Sequence, residues 1–325
     1  MVHFVTGATG LVGNNLVRLL LARGEKVRVL ARPASDARPL AGLDLEVVRG
    51  DVTDADCVRA ACRDAKVVLH AAGHVHIGWT QSEAAHRVNV EGTRNVVAGC
   101  LENQARLVHV SSINALGVGR RNRPANEEEY DPRIVLCPYV TSKRAADEVV
   151  EEGIRRGLNA AIVYPSLMFG PWDWKPTSGR MILQVAEHFT PLAPWGGTSV
   201  ADVRDIAEAI LAAVKLAPIG RGYVLGGANL LYLKLWRLIA QITGGQAPYF
   251  RPGPIIRHIG GYGGDVWRML SGSEPQLNSA AVRMADQYHF FDSSRAVKEL
   301  GYRIRPIEET LRDAWHWLRE NGFAN

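Results

Sequence analysis

The chain opens on a short apolar run, Val2 to Val5, that passes straight into Thr6-Gly7-Ala8-Thr9-Gly10-Leu11-Val12-Gly13. A helical pattern follows from Leu11 to Arg23, with apolar residues at Leu11, Val12, Leu16, Leu19 and Leu20. A buried strand, a glycine turn and a helix in this order constrain the fold more than any other feature. Glycines at a spacing of three keep side chains out of the turn and let a ligand approach the backbone. The helix start then directs free N–H groups and a positive dipole end at the turn, an arrangement that suits a pyrophosphate. The spacing is G-x-x-G-x-x-G rather than the commoner G-x-G-x-x-G. Its place at a strand-to-helix junction is what makes it read as nucleotide binding.

Strand and helix patterns then alternate. Strands are predicted over Lys26–Ala31, Leu45–Arg49, Lys66–Ala71, Arg106–Val110 and Asn159–Tyr164. Helices are predicted from Thr53 or Asp54 to Ala61, from Gln81 to Asn103 and from Pro138 to Arg156. This alternation predicts an α/β fold, a doubly wound parallel sheet of the Rossmann type, with ligands at the carboxyl ends of the strands. After Pro165 the pattern loosens and Pro, Gly and Trp accumulate as far as Pro176. Val200–Val203, a helix over Asp205–Val214 and a strand over Tyr223–Leu225 read as a return to the sheet layer, and helices over 233–242, 255–270 and 307–321 follow. The expected organisation is a dinucleotide-binding domain of residues 1–165 plus about 198–227, and a smaller, interleaved substrate lobe of 166–197 and about 228–325.

The formal net charge is +5, but the basic residues are interleaved with acids and form no run of five. That is a solvated surface with a mild attraction for anionic cofactors, not a nucleic-acid face. No basic segment precedes the first strand, and no apolar run approaches the roughly 18 residues that span a bilayer. A cytoplasmic location with no membrane partner is the expectation. The four cysteines, Cys57, Cys62, Cys100 and Cys137, include no C-x-x-C pair and have no histidine at zinc-ligand spacing, so neither a metal site nor a disulfide is expected.

Tyr139 and Lys143 stand four apart in a helical pattern and share one face. An ammonium beside a phenol favours the phenolate, lowering a pKa of about 10 in the free side chain. Tyr139 is therefore a candidate acid/base for a carbonyl or an alcohol. Ser111-Ser112 ends the fifth strand just upstream, where a hydroxyl can hydrogen-bond the same carbonyl oxygen.

With these residues in hand, the chain resembles the extended short-chain dehydrogenase/reductase family, of the NAD-dependent epimerase/dehydratase superfamily. The matching segments are Thr6–Gly13, Gly50-Asp51-Val52, His70-Ala71-Ala72-Gly73, Asn89-Val90-Glu91-Gly92-Thr93, Ser111-Ser112 and Tyr139–Lys143. Phe291–Ala296 and Glu299–Tyr302 carry the likeness to the end of the chain; within the family it is most similar to dihydroflavonol-reductase-like and hopanoid-associated-epimerase-like branches, the second suggested by Lys175–Thr177, Gly179-Arg180 and Leu225–Gly227. The resemblance implies that Tyr139 is the acid/base, that Lys143 lowers its pKa and holds the nicotinamide ribose, and that Ser112 rather than Ser111 is the catalytic hydroxyl. It implies that Asn89 supports the active-site backbone or a proton relay, that Asp51 and Val52 meet the adenine, and that Pro165 and Ser166 flank the carboxamide. Thr6, Gly7, Thr9, Gly10, Leu11, Val12 and Gly13, with Ala71, Ala72 and Gly73, would line the rest of the dinucleotide. For Asn89 and Asp51, helix hydrogen bonding and turn capping are equally open readings. The resemblance also implies a homodimer through the helices that carry Asn89 and Tyr139, whose apolar residues Val96, Val97, Ala145 and Val149 exceed what one sheet face needs.

The second strand ends Leu30-Ala31-Arg32-Pro33 without the acid that binds a ribose 2′-hydroxyl. Arg32 can instead fork a 2′-phosphate, which favours NADP(H) over NAD(H). Ile113-Asn114 stands where sugar dehydratases of the family carry acids, which disfavours dehydration. The candidate substrate pocket gathers His74, His76, Trp79, Asn114, Trp172, Trp174, Lys175 and Arg180. No diphosphate clamp beyond Arg180 is evident. The expected activity is NADP(H)-dependent reduction of a ketone or aldehyde, or oxidation of a secondary alcohol. A nucleotide-sugar epimerase and a non-catalytic dinucleotide-sensing regulator are the alternatives.

Overall fold

A computed structural model describes residues 1–128 and 131–324. Its strands are β1 (Val2–Thr6), β2 (Lys26–Ala31), β3 (Glu46–Arg49), β4 (Val67–His70), β5 (Arg106–Val110), β6 (Ala160–Pro165), β7 (Leu167–Phe169), β8 (Gly197–Asp202), β9 (Gly222–Leu225), β10 (Ala228–Leu231) and β11 (Tyr288–His289). Seven of them form one parallel sheet in the order β3-β2-β1-β4-β5-β6-β9. Every residue of β4 and β6 is buried, because helices cover both faces of the sheet and continuous Val/Ile/Leu runs suit that double burial. One face packs Leu16, Val17 and Leu20 against Ile206 and Ile210. The other packs Val58, Val96, Val97 and Val150. Each such side chain contributes about 1.5–3 kcal/mol by leaving water.

The strand order reverses between β1 and β4, and ligands of open α/β sheets bind in the crevice at such a point. The glycine loop after β1 therefore faces the Ala71–Gly73 turn after β4.

Three expectations need correction. The segment at Val200–Val203 does not rejoin the large sheet. β8 is the centre of a second sheet, with antiparallel β10 on one edge and parallel β7 and β11 on the other. Its partners are two to four residues long, too short to leave a period in the sequence. β9 does return, at the edge of the large sheet. The single helix expected from Gln81 to Asn103 is a short helix (Ser82–Ala85), a π-helical turn (His86–Glu91) and a helix (Gly92–Asn103). Finally, Val96 and Val97 are buried within the monomer, where the helix Gly92–Asn103 meets the helix Pro138–Arg155, so they are not a surplus left for a partner.

Candidate active site

Gly7 has a φ of +72°, and a Cβ there would lie 2.6 Å from the backbone of Ala71 and Ala72. The left-handed turn and the close approach to the end of β4 together call for glycine here. A Cβ on Gly13 would come within 2.1 Å of the Gly7 carbonyl oxygen, so that residue seats the helix Leu11–Ala22 directly on the turn. Gly10 is different. It is exposed, and the nearest neighbour of an added Cβ is the Gly7 oxygen at 3.4 Å, so the space before it is open. No side chain caps the helix that starts there. The loop thus offers uncapped N–H groups at an open cradle, which fits a dinucleotide pyrophosphate.

Hydrogen bonds then link the strand ends. Thr93 donates its hydroxyl to the Asn89 carbonyl (2.6 Å) and so accepts from His70 Nε2 (3.0 Å). Burial holds the His70 imidazole far below its usual pKa, so Nδ1 is bare and accepts the Thr6 hydroxyl (2.7 Å). Thr6 Oγ1 in turn accepts the Ala72 N–H (3.2 Å). Asn89 completes the chain from within the π-helical turn, a deformation often found at functional sites. Its amide donates to Ser142 Oγ (2.8 Å) and to the His74 carbonyl (3.0 Å), and its Oδ1 accepts the His74 N–H (2.7 Å). Asn89 clamps the loop after β4 to the helix Pro138–Arg155.

On that helix Tyr139 and Lys143 are both buried, and the Ser112 hydroxyl lies close enough to the Tyr139 phenol to pull its pKa down. Ser112 Oγ also accepts the Asn114 N–H (3.2 Å), which orients it at the end of β5. Ser111 is turned the other way, donating to Asp147 Oδ2 (2.9 Å). Lys143 Nζ donates to the Val110 carbonyl (2.9 Å), and a Cβ on Gly73 would stand 3.4 Å from both Lys143 Nζ and Asn89 Oδ1. The catalytic candidates and the β4 turn therefore converge.

The electrostatics differ from the expectation. Burial raises the Tyr139 phenol, with the nearby Ser112 hydroxyl opposing it, and Lys143 is not among the groups that shift it. Burial also lowers the Lys143 ammonium, which Asp147 partly restores, and raises the Asp147 carboxyl. An i,i+4 pair in a low-dielectric site loses more by desolvation than the ammonium returns to the phenol.

The residues grouped as one substrate pocket separate in space. His74 lies at the Asn89 clamp, its ring bonded to Gln81 Oε1 (2.8 Å). His76 Nε2 meets Glu274 Oε2 (2.7 Å), and Trp79 donates its backbone N–H to Glu274 Oε1 (2.8 Å) and its indole N–H to Ser279 Oγ (2.7 Å). Ile77 and Trp79 pack on the buried cluster of Ile134, Val135, Tyr139, Ala280 and Met284, so this loop roofs the tyrosine. Trp172 and Trp174 pack instead with Trp317 in the core of the second lobe, and Arg18 lies 3.4 Å above the Trp172 ring. Lys175 and Arg180 are exposed. The indoles sit in the lobe core because the helix Ile307–Glu320 offers them an apolar face.

Arg32 is exposed at the end of β2 and forms no ion pair among the described residues. Asp51 Oδ1 caps its own turn through the Thr53 N–H and hydroxyl (3.0 Å each). Val52 is buried, its carbonyl accepting from Asn95 (2.9 Å). Pro165 and Ser166 are buried at the end of β6, beside β9. Sequence reasoning missed Asp147, although it follows Lys143 by one helical turn on the same face. It also missed His109, buried 3.4 Å from Asp147 Oδ1, and Glu274, which no local pattern connects to a loop 195 residues earlier.

Residues 3–226 match the model of the NAD dependent epimerase/dehydratase family. The "Putative dihydroflavonol 4-reductase" of Synechocystis sp. is 33% identical over 99% of this chain and 95% of its own length. Sterol demethylase protein B of Methylococcus capsulatus is 31% identical over 99% of this chain and 100% of its own. Among solved structures, that of gox2253 is 33% identical, covers 100% of this chain and 99% of its own, and superposes with a TM-score of 0.87.

Proposed function

The chain belongs to the NAD dependent epimerase/dehydratase family and is an enzyme that uses a nicotinamide dinucleotide, and on that footing we propose that it is an NADP(H)-dependent oxidoreductase acting on a ketone, an aldehyde or the matching secondary alcohol. The observation that carries this reading is the placing of the buried Ser112, Tyr139 and Lys143 together at the strand ends where the β4 turn meets the glycine loop. When bound, the nicotinamide supplies or accepts the hydride. Thr6, Gly7, Thr9, Gly10, Leu11, Val12 and Gly13 hold the pyrophosphate. Ala71, Ala72, Gly73, Pro165 and Ser166 border the nicotinamide half, and Asp51 and Val52 the adenine.

In reduction, Tyr139 gives its phenolic proton to the carbonyl oxygen as the new C–H bond forms, and the Ser112 hydroxyl holds that oxygen in line. Lys143, which does not shift the resting phenol, positions the ribose, while Asn89 fixes the loop above them. Burial keeps the phenol protonated until the substrate oxygen draws the proton away. Arg32, which forms no ion pair among the described residues at the end of β2, supports NADP(H) over NAD(H). Two relatives are named for a dihydroflavonol and a sterol, which supports a carbonyl on a largely apolar skeleton. Of the pocket residues, His76, Trp79 and Asn114 lie nearest this chemistry, and Trp172, Lys175 and Arg180 are the weaker candidates.

Consumption of NADPH against a panel of ketones, aldehydes and nucleotide sugars tests the reading. Net oxidation by a carbonyl compound supports it. Interconversion of sugar epimers with no net change in NADPH would establish the epimerase alternative, and no turnover of any compound would favour a dinucleotide sensor. A cytoplasmic homodimer is the assembly we propose, with Ala145 and Val149 as its apolar contribution, and sedimentation velocity reads it directly.

A further inference from the structure

The helix Pro254–Ser271 lies on the protein the wrong way round for a globular surface. Its inward side is small and polar. A Cβ on Gly264 would come 1.8 Å from the Leu277 carbonyl oxygen, and one on Gly261 would come 3.2 Å from Ser279 Cα. Asp265 also points inward and accepts the Ser279 N–H (3.2 Å). The outward side carries Ile255, Ile259, Tyr262, Val266, Trp267 and Leu270, within an arc about 140° wide at 3.6 residues per turn. No charged residue falls in that arc. Leu270 is 81% exposed, Ile255 74% and Ile259 68%, against an expectation that an amphipathic helix turns such residues to the core.

We propose that this face is a docking surface for an anionic lipid bilayer, on which the helix lies flat without crossing. The charges around it are complementary. The segment Tyr249–Asp286 carries four arginines against three acids; Asp286 pairs with Arg257 (2.5 Å), which leaves Asp265 and Glu274. Both acids are engaged inward, Asp265 at Ser279 and Glu274 beneath His76, Trp79 and Thr80. Arg251 and Arg283, which flank the helix, form no ion pair among the described residues, whereas Arg268 falls on the inward side between Gly261 and Gly264; the net charge of the chain is positive. Cationic residues beside an apolar face are what an anionic interface selects. A second copy is the poorer occupant. The helix offers eight large exposed apolar residues, whereas a stable protein interface takes about 20–30 residues a side.

No helix among the described residues is long and apolar enough to cross a membrane. Searching for a continuous apolar run overlooks this one, because glycines and arginines interrupt the run at the helical period. The helix joins the Glu274–Ser279 segment that holds the roof over Tyr139, so the docked face adjoins the site that an apolar substrate would enter.

The test is co-sedimentation of the full chain with vesicles of phosphatidylglycerol and phosphatidylcholine, against phosphatidylcholine alone. The expected result is binding to the anionic vesicles that weakens with salt. Ile259→Asp and Val266→Asp should each lower the bound-to-free ratio about tenfold while NADPH affinity stays as in the wild type. Quenching of tryptophan fluorescence by lipids brominated on their acyl chains, present in the wild type and lost in Trp267→Phe, reads contact at Trp267. Wild-type protein that stays in the supernatant, or variants that bind as well as it does, would overturn the proposal. So would a wild-type dimer that ignores vesicles and is split by Ile259→Asp, because the face would then join two copies.

Discussion

Replacing the three loop glycines with alanine, one at a time, separates the cofactor cradle from the fold. At Gly13 the new methyl would sit 2.1 Å from the Gly7 oxygen, 2.6 Å from the Gly7 carbonyl carbon and 2.9 Å from Ala8 Cα. All three atoms are backbone, so the helix Leu11–Ala22 must lift, at a cost of about 1–3 kcal/mol for overpacking. At Gly7 the left-handed backbone costs ~1–2 kcal/mol, to which the contacts at 2.6 Å with Ala71 and Ala72 add. Gly10 has a φ of −89° and a single neighbour at 3.4 Å, so Gly10→Ala should leave stability within about 1 kcal/mol of wild type. Its methyl instead occupies the space before the helix N-terminus. Losing one charge-assisted hydrogen bond there costs about 1.5–3 kcal/mol, or roughly 10- to 150-fold in affinity. Thermal unfolding and calorimetric titration with NADPH read the two effects separately. Gly13→Ala should lower Tm by about 1–2 °C for each kcal/mol lost in a chain of 325 residues. Gly10→Ala should hold its Tm and lose NADPH. If Gly10→Ala binds NADPH as tightly as wild type, the pyrophosphate does not lie on this loop.

Arg32→Asp should weaken NADPH binding at least tenfold and improve NADH binding, and an unchanged ratio of the two dissociation constants would remove Arg32 from the site. Burial works to raise the Glu274 carboxyl, but hydrogen bonds from Thr80, Trp79 and His76 carry its pKa down to about 2. Its stabilising contribution is therefore present above its usual carboxylate range and is lost as the pH falls from 4.5 towards 2. Glu274→Gln should remove that acid dependence, read as a flatter Tm-against-pH profile, and raise KM more than it lowers kcat. Asp147 is the group that holds the Lys143 ammonium up against burial, so Asp147→Asn should move the alkaline limb of the kcat profile to lower pH. A limb that stays in place would show that Lys143 does not titrate with the activity.

Much of this was legible in the chain because it is written locally. The glycine loop, the run of parallel strands and the Tyr139–Lys143 spacing each arise from neighbours a turn or a strand apart, and Ser112 lies where β5 ends. The second sheet was not legible, because β7 and β11 are three and two residues long and take their shape from β8. Trp172 and Trp174 read as pocket residues because they follow β6. Their burial depends on Trp317, far along the chain. The direction of the Tyr139 shift was misread for a related reason. Spacing reports that Lys143 is near but not how much water the fold removes from both groups. The outward face of Pro254–Ser271 escaped notice because a helical stripe has the same period whichever way it points.

The most direct measurement is the rate of NADPH oxidation by Tyr139→Phe with the carbonyl compound that the wild-type enzyme turns over, taken together with its NADPH dissociation constant. Loss of the phenolic proton donor should lower kcat by about 10²–10⁴-fold. The phenyl ring fills the same buried space, so cofactor affinity should stay within about twofold, well under the 1.4 kcal/mol that marks a tenfold change. A variant that keeps its rate would show that the proton reaches the substrate oxygen from some other group.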